Sequence, residues 1–137
     1  MKISFHSQSF DTARLIWHCP FVSLFYSDDK KVRGKNFHEF VLVRLDGETW
    51  DSDANATNTI VINKSDRFEG WNEWKEANRR GIDCTVSLRR AGRKITLVTE
   101  NSGIFIRSDT VLKEDFPEVY VALTGDQCAL TNIRVSK

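Results

Sequence analysis

The chain has 137 residues, with 20 Lys and Arg against 19 Asp and Glu. That length holds one domain of ordinary size, read here as 1–137. The composition, 40% apolar and 28% charged, excludes a disordered acidic tail and a polybasic arm. No apolar run approaches the roughly 18 residues of a spanning helix, so no membrane partner is expected.

The start, MKISFHSQSFDTARLIW, has no continuous apolar h-region, which predicts no signal peptide. The expectation is a cytoplasmic protein or a module of a longer secreted one. Strand patterns then dominate. TARLIWHC (12–19) and FVSLFYS (21–27) read as strands. In NFHEFVLVRLD (36–46), Phe40 and Leu42 alternate with Val41, Val43 and Leu45, so both faces are apolar and a central strand is predicted. Asp46-Gly47 is a hairpin signal. NTIVINK (58–64) follows as a strand.

FEGWNEWKEANRRG (68–81) is the one helical pattern, with Trp71, Trp74 and Lys75 at i, i+3 and i+4 and Gly81 as a stop. A meander comes next. IDCTVSLRR (82–90) turns at Ala91-Gly92 into RKITLVTE (93–100), which turns at Asn101-Ser102-Gly103 into IFIRSDTVL (104–112). VYVALT (119–124) and CALTNIRVS (128–136) read as a last strand pair around Gly125-Asp126. Nine or ten short strands at this spacing predict an all-β, two-sheet antiparallel β-sandwich of jelly-roll, lectin-like type, with one short helix near 70–79.

Cys19, Cys84 and Cys128 are widely spaced and form no C-x-x-C pair, so they read as small buried hydrophobes rather than a zinc or redox motif. The chemistry of catalysis is not written in the chain. His38-Glu39 is followed by Leu42 where a zinc helix needs a second His. His6, His18 and His38 are isolated, and nothing orients an imagined Cys19 nucleophile. There is no nucleophile elbow and no glycine-rich phosphate loop. A glycosidase needs two facing acids. Only folding could bring Glu39 to Asp46, or Glu100 to Asp109, as such a pair. The expectation is a protein that is not an enzyme.

The basic clusters, Lys30 to Lys35, Arg79-Arg80 and Arg89 to Lys94, come with a net charge of only +1, so no nucleic-acid partner is expected. Asp28, Asp29, Asp51, Asp53 and Asp126 are candidate oxygen ligands for a structural calcium, without the EF-hand run. No other cofactor is expected.

The four Trp, nine Phe and two Tyr stand beside a single Met. Sugars are read by flat rings that stack on C–H faces and by planar polar groups that bond the hydroxyls. Trp50 precedes Asp51 and Asp53. Trp71 and Trp74 flank Asn72 and Glu73, with Arg79 one turn on. Core packing competes with stacking at each Trp, and Trp17, alternating with Leu15 and Cys19, is expected in the core.

Taken together, FHEFVLVRLDGE (37–48), GWNEWKEAN (70–78), RKITLVTENSGIFIRSDT (93–110) and YVALTGDQCALTNIRV (120–135) resemble the concanavalin A-like and jelly-roll domains attached to bacterial carbohydrate-active proteins. The resemblance implies a lectin-like accessory module with a sugar bound on a concave sheet face or at loop tips. The expected ligand is therefore an oligo- or polysaccharide. Trp50, Trp71 and Trp74 would supply stacking surface, and Asn72, Glu73, Arg79 and Asp51 hydrogen bonds. The alternatives are a protein-interaction or regulatory module and, behind it, a small glycoside hydrolase. Oligomeric state is not legible.

Overall fold

The fold is described from a computed structural model that covers residues 1–14, 18–50 and 54–137, with the side chains of Thr49 and Trp50 outside the description. It is a sandwich of two antiparallel sheets. The first holds β1 (Lys2–Ser9), β5 (Ala56–Lys64), β6 (Ile82–Ala91), β7 (Lys94–Asn101), β8 (Ile104–Leu112) and β10 (Cys128–Ser136). Its strand order is β10-β1-β6-β7-β8-β5. The second holds β2 (Pro20–Tyr26), β3 (His38–Arg44), β4 (Thr49–Trp50) and β9 (Tyr120–Gly125), in the order β4-β3-β2-β9.

Alternation makes the core. Ile3 and Phe5 of β1, Cys84, Val86 and Leu88 of β6, Ile95 and Leu97 of β7, and Ile104, Ile106 and Leu112 of β8 face inward from the large sheet. Cys19, Val22, Leu24, Val41, Val43 and Leu45 meet them from the small sheet and its edges. Strand β3 faces β5 and β8 across the core. All three cysteines are buried and free, as their strand settings predict. Burial above all, helped by Asp46 near Cys19 and by Cys128 and Asp83 near Cys84, pushes the Cys19 and Cys84 thiols up to about 12, so neither is a thiolate at neutral pH.

Three expectations need correction. Phe40 does not share the outer face with Leu42. The β2–β3 register passes from Leu24 opposite Val41 to Phe25 opposite Glu39, which leaves Phe40 as the extra residue of a β-bulge. The bulge turns Phe40 inward, fully buried beside Val41, while Leu42 stays half-buried. Second, VYVALT and CALTNIRVS do not pair with each other: β9 pairs with β2 and β10 with β1. The Gly125–Cys128 turn therefore carries the chain from one sheet to the other. Third, the described residues of the expected strand 12–19 are not in a strand. Its Trp17 lies outside the described residues. Strand β1, which the alternation of KISFHSQS understates because Ser7 and Ser9 occupy two of its inward positions, takes a central place in the large sheet instead.

Helix α1 (Trp71–Arg80) lies between β5 and β6 in the chain and packs on β1. It is shorter than the pattern at 68–81 because glycines bound it. Gly70 stands before its first residue at φ 120°, and Gly81 follows it at φ 104°. A Cβ on Gly81 would come within 2.6 Å of His6 Nε2, so a side chain there would have to displace the His6 ring and also adopt the positive φ that favours glycine.

The helix is held by Trp74. Its side chain is 1% exposed and belongs to the core cluster, and its indole N–H donates to the Asn101 carbonyl at the end of β7 at 3.1 Å. Asn78, also buried, donates from Nδ2 to the Trp74 carbonyl one turn back at 2.8 Å. At the same end of the sandwich, Arg44 gathers three elements. It donates to Asp126 at 2.9 Å, to Asp46 at 3.4 Å and to the Cys19 sulfur at 3.8 Å.

Candidate functional site

The helix divides its side chains between two jobs. Positions 71, 74, 75 and 78 turn toward the sandwich or its rim, as the 3.6-residue period requires. Asn72, Glu73, Glu76 and Arg80 form the opposite stripe. That stripe is one wall of a groove of about 430 Å³, and Arg67 and Ser102 stand on the other side. Glu69, Trp74 and Ala77 complete its lining.

The far wall is fixed by a close backbone approach. The Ser65 N–H donates to the Gly103 carbonyl at 2.8 Å. Gly103, at φ 90°, lies so near the backbone of Phe68 that no Cβ would fit. The segment carrying Arg67 is thereby seated on the β7–β8 turn that carries Ser102. Arg67 also approaches Glu100 at 3.6 Å, a solvent-exposed pair of small energetic weight.

Asn72, Glu73 and Arg80 make no side-chain hydrogen bond among the described residues. The groove so presents an amide, a carboxylate and a guanidinium, together both donor and acceptor, with their bonding capacity directed to solvent.

Trp71 stands at the first turn, next in the chain to Asn72. It is half-buried, packed edge-on against Phe68 at 5.0 Å and Trp74 at 5.6 Å between ring centroids. The Lys64 ammonium lies 5.6 Å from its ring centre.

The structure thus brings together part of the set expected from sequence. Asn72 and Glu73 share the groove, whereas Trp71 turns to the sandwich rim against Phe68 and Trp74 and does not line it. Trp74 does not serve as a stacking platform, because its ring is enclosed by the core and its N–H is occupied. Arg79 does not join the groove. It reaches the other way, to the Ala13 carbonyl at 3.4 Å, and approaches Glu76 at 4.0 Å. Arg80 holds the position that Arg79 was expected to hold. Trp50 has its backbone on the edge strand β4, opposite Leu42, and α1 packs on β1 instead. Asp51 and Asp53 lie outside the described residues.

Sequence reasoning missed Arg67, Glu69, Glu76, Arg80 and Ser102. The signal for Glu76 and Arg80 was present as the i+4 and i+8 partners of Asn72. Arg67 and Ser102 arrive through a tertiary approach that no local pattern records.

The described calcium candidates, Asp28, Asp29 and Asp126, have other work. Asp29 Oδ1 accepts from the Lys31 and Lys35 backbone N–H groups, both at 3.3 Å, and its carboxyl is held below the usual range. Asp28 accepts from Asn36 and Tyr26, and Asp126 is paired with Arg44. Among the described residues no group of three His, Cys, Asp or Glu converges as a metal site.

Behind the helix lies a buried histidine. His18 is 1% exposed, and its Nδ1 is hydrogen-bonded to Ser9 Oγ. Burial, then the positive charges of Arg79 and Lys75, lower its pKa. The neutral imidazole is therefore the form the fold accepts. Comparison with protein-family models, with curated proteins and with solved structures gives no match for this chain.

The sign of the resulting pH dependence follows. In the unfolded chain His18 takes up a proton near pH 6.5, whereas in the folded chain it does so only at lower pH. Stability is complete above about pH 6.5 and falls as the pH drops below it. Urea unfolding at pH 7 and pH 5 will show a loss of stability that His18→Gln reduces. An equal loss in both proteins would contradict this account of His18.

Proposed function

We propose that the chain is a non-catalytic carbohydrate-binding module whose site is the groove along α1. The observation that carries the reading is the unpaired polar stripe of Asn72, Glu73 and Arg80, facing Arg67 and Ser102 across the groove. Sugar hydroxyls are donors and acceptors at once, and this wall offers both within one turn of helix. The half-buried Trp71 indole stands at the rim, outside the groove's lining, where its remaining surface would meet only a sugar that extends past the groove. The resemblance of the strand pattern to lectin-like accessory domains supports the same reading. Binding at such an open site is weak, of micromolar to millimolar dissociation constant, because the hydroxyls are already well hydrated.

A second reading, protein interaction, is favoured by one observation. Strand β5 is an edge strand of nine residues with Val61 46% and Ile62 44% exposed, and its only charge is Lys64 at the end. Edge strands of this kind pair with other strands. Multi-angle light scattering tests it: a concentration-dependent dimer that Ile62→Lys abolishes supports this reading, and a monomer at all concentrations removes it.

The carbohydrate reading is tested by affinity gel electrophoresis and glycan arrays. Retardation by at least one polysaccharide is expected. The double variant Asn72→Ala with Arg80→Ala should weaken it about tenfold or more, the scale of lost charge-assisted bonds. Trp50→Ala should leave it unchanged. No binding above background, or binding untouched by the groove variant, would defeat the proposal.

A further inference from the structure

The end of the sandwich away from α1 is built differently. A cleft of about 510 Å³ opens there between β9 and the β6–β7 hairpin. Its floor is Leu24, only 1% exposed, and its walls include Leu88, Ile95, Val119 and Val121. That volume lies within the range of about 300–1,000 Å³ typical of ligand pockets. The cleft exists because β9 is the edge strand of the small sheet, paired only with β2, so its inward residues Val121 and Leu123 stay partly exposed.

The charged side chains lining the cleft are Arg89 and Arg90, Met1 lines it as well with its terminal ammonium donating to the Leu88 carbonyl at 2.9 Å, and no acid lines it. Arg90 ties β6 to the β8–β9 connection. It donates to the carbonyls of Phe116, Pro117 and, within its own hairpin, Gly92. All three hydrogen-bond partners are neutral, and the Asp115 carboxylate next to Phe116 feels the Arg90 charge without bonding to it. Arg89 has no hydrogen-bond or ion-pair partner among the described residues. An apolar slot lined by cationic groups and by no acid matches one kind of small molecule.

We propose that this cleft binds a single-chain anionic amphiphile, with the apolar tail between Val121 and Leu88 and the anionic head at Arg89 and Arg90. The tail gains from removal of apolar surface from water. The head gains from a charge already held in place by Arg90 and from the unpaired Arg89. The site is independent of the groove along α1: it shares no lining residue with it.

Isothermal titration of the full chain tests this with three probes below their micelle concentrations: decanoate, decanol and decyltrimethylammonium. Decanoate should bind most tightly, and the cationic probe should bind at least tenfold more weakly or not at all. Arg89→Ala should weaken decanoate binding by roughly three- to tenfold, the loss of one charged contact. Val121→Trp should fill the slot and abolish it. Should that variant not fold, backbone amide shifts in the unaltered protein replace it, with changes expected at Leu88, Ile95, Val119 and Val121. Asn72→Ala should leave decanoate binding unchanged, which separates this site from the carbohydrate reading. Equal affinity for the anionic and cationic probes, absence of decanoate binding at millimolar concentration, or shift changes confined elsewhere would overturn the proposal. So would association with anionic vesicles without binding of monomeric decanoate.

Discussion

One buried indole sets the geometry of the helix end of this protein. Trp74 sits in the core with its N–H bonded to the carbonyl of Asn101. A tryptophan buries more apolar surface than any other side chain, and its polar handle needs a partner when removed from water. The two demands are met at one place, where β7 ends and its turn begins. The helix is short, ten residues, and would be marginal alone. Tertiary burial of Trp74 and Asn78 is what holds it. Once it is held, the opposite stripe must face outward, and the groove follows from the period of the helix.

The two ends of the sandwich then take opposite characters. At the helix end, Arg44 ties the β3–β4 turn, the β9–β10 crossing and Cys19 together, and polar side chains are plentiful. Arg44 is only 9% exposed, so its pairing with Asp46 and Asp126 is a requirement of burial more than a source of net stability. At the far end Arg90 ties β6 to the β8–β9 connection through backbone carbonyls, and the adjoining cleft is largely apolar. A polar groove and an apolar cleft on one small domain are compatible because neither draws on the other's residues.

Much of the fold was legible in the sequence because alternation and turn chemistry are local. Ile104–Leu112 and Cys128–Ser136 coincide with their patterns to the residue. The pairing of the strands was less legible. VYVALT and CALTNIRVS look like a hairpin, yet the three-dimensional partners β2 and β1 lie about a hundred residues away in the chain. The bulge at Phe40 was also hidden, since one extra residue in a strand leaves no mark on an apolar run. The site was legible in part. Asn72 and Glu73 were visible as polar neighbours of tryptophan. The choice between Arg79 and Arg80 depends on helix phase, which burial of Trp74 fixes. Of the aromatic excess, Trp74 is accounted for by packing, and Trp71 remains the described tryptophan with surface to offer.

The central claim is that Trp74 anchors the helix while Trp71 stays at the surface. Hydrogen exchange of the indole N–H groups, followed by nitrogen-15 NMR with the Trp71 and Trp74 signals assigned by substitution, measures it directly. The account predicts that the Trp74 indole exchanges only through global unfolding, with protection equal to that of the core amides of β7. Exchange of Trp74 as fast as that of Trp71 would show that the helix opens independently of the sandwich, and would contradict the account.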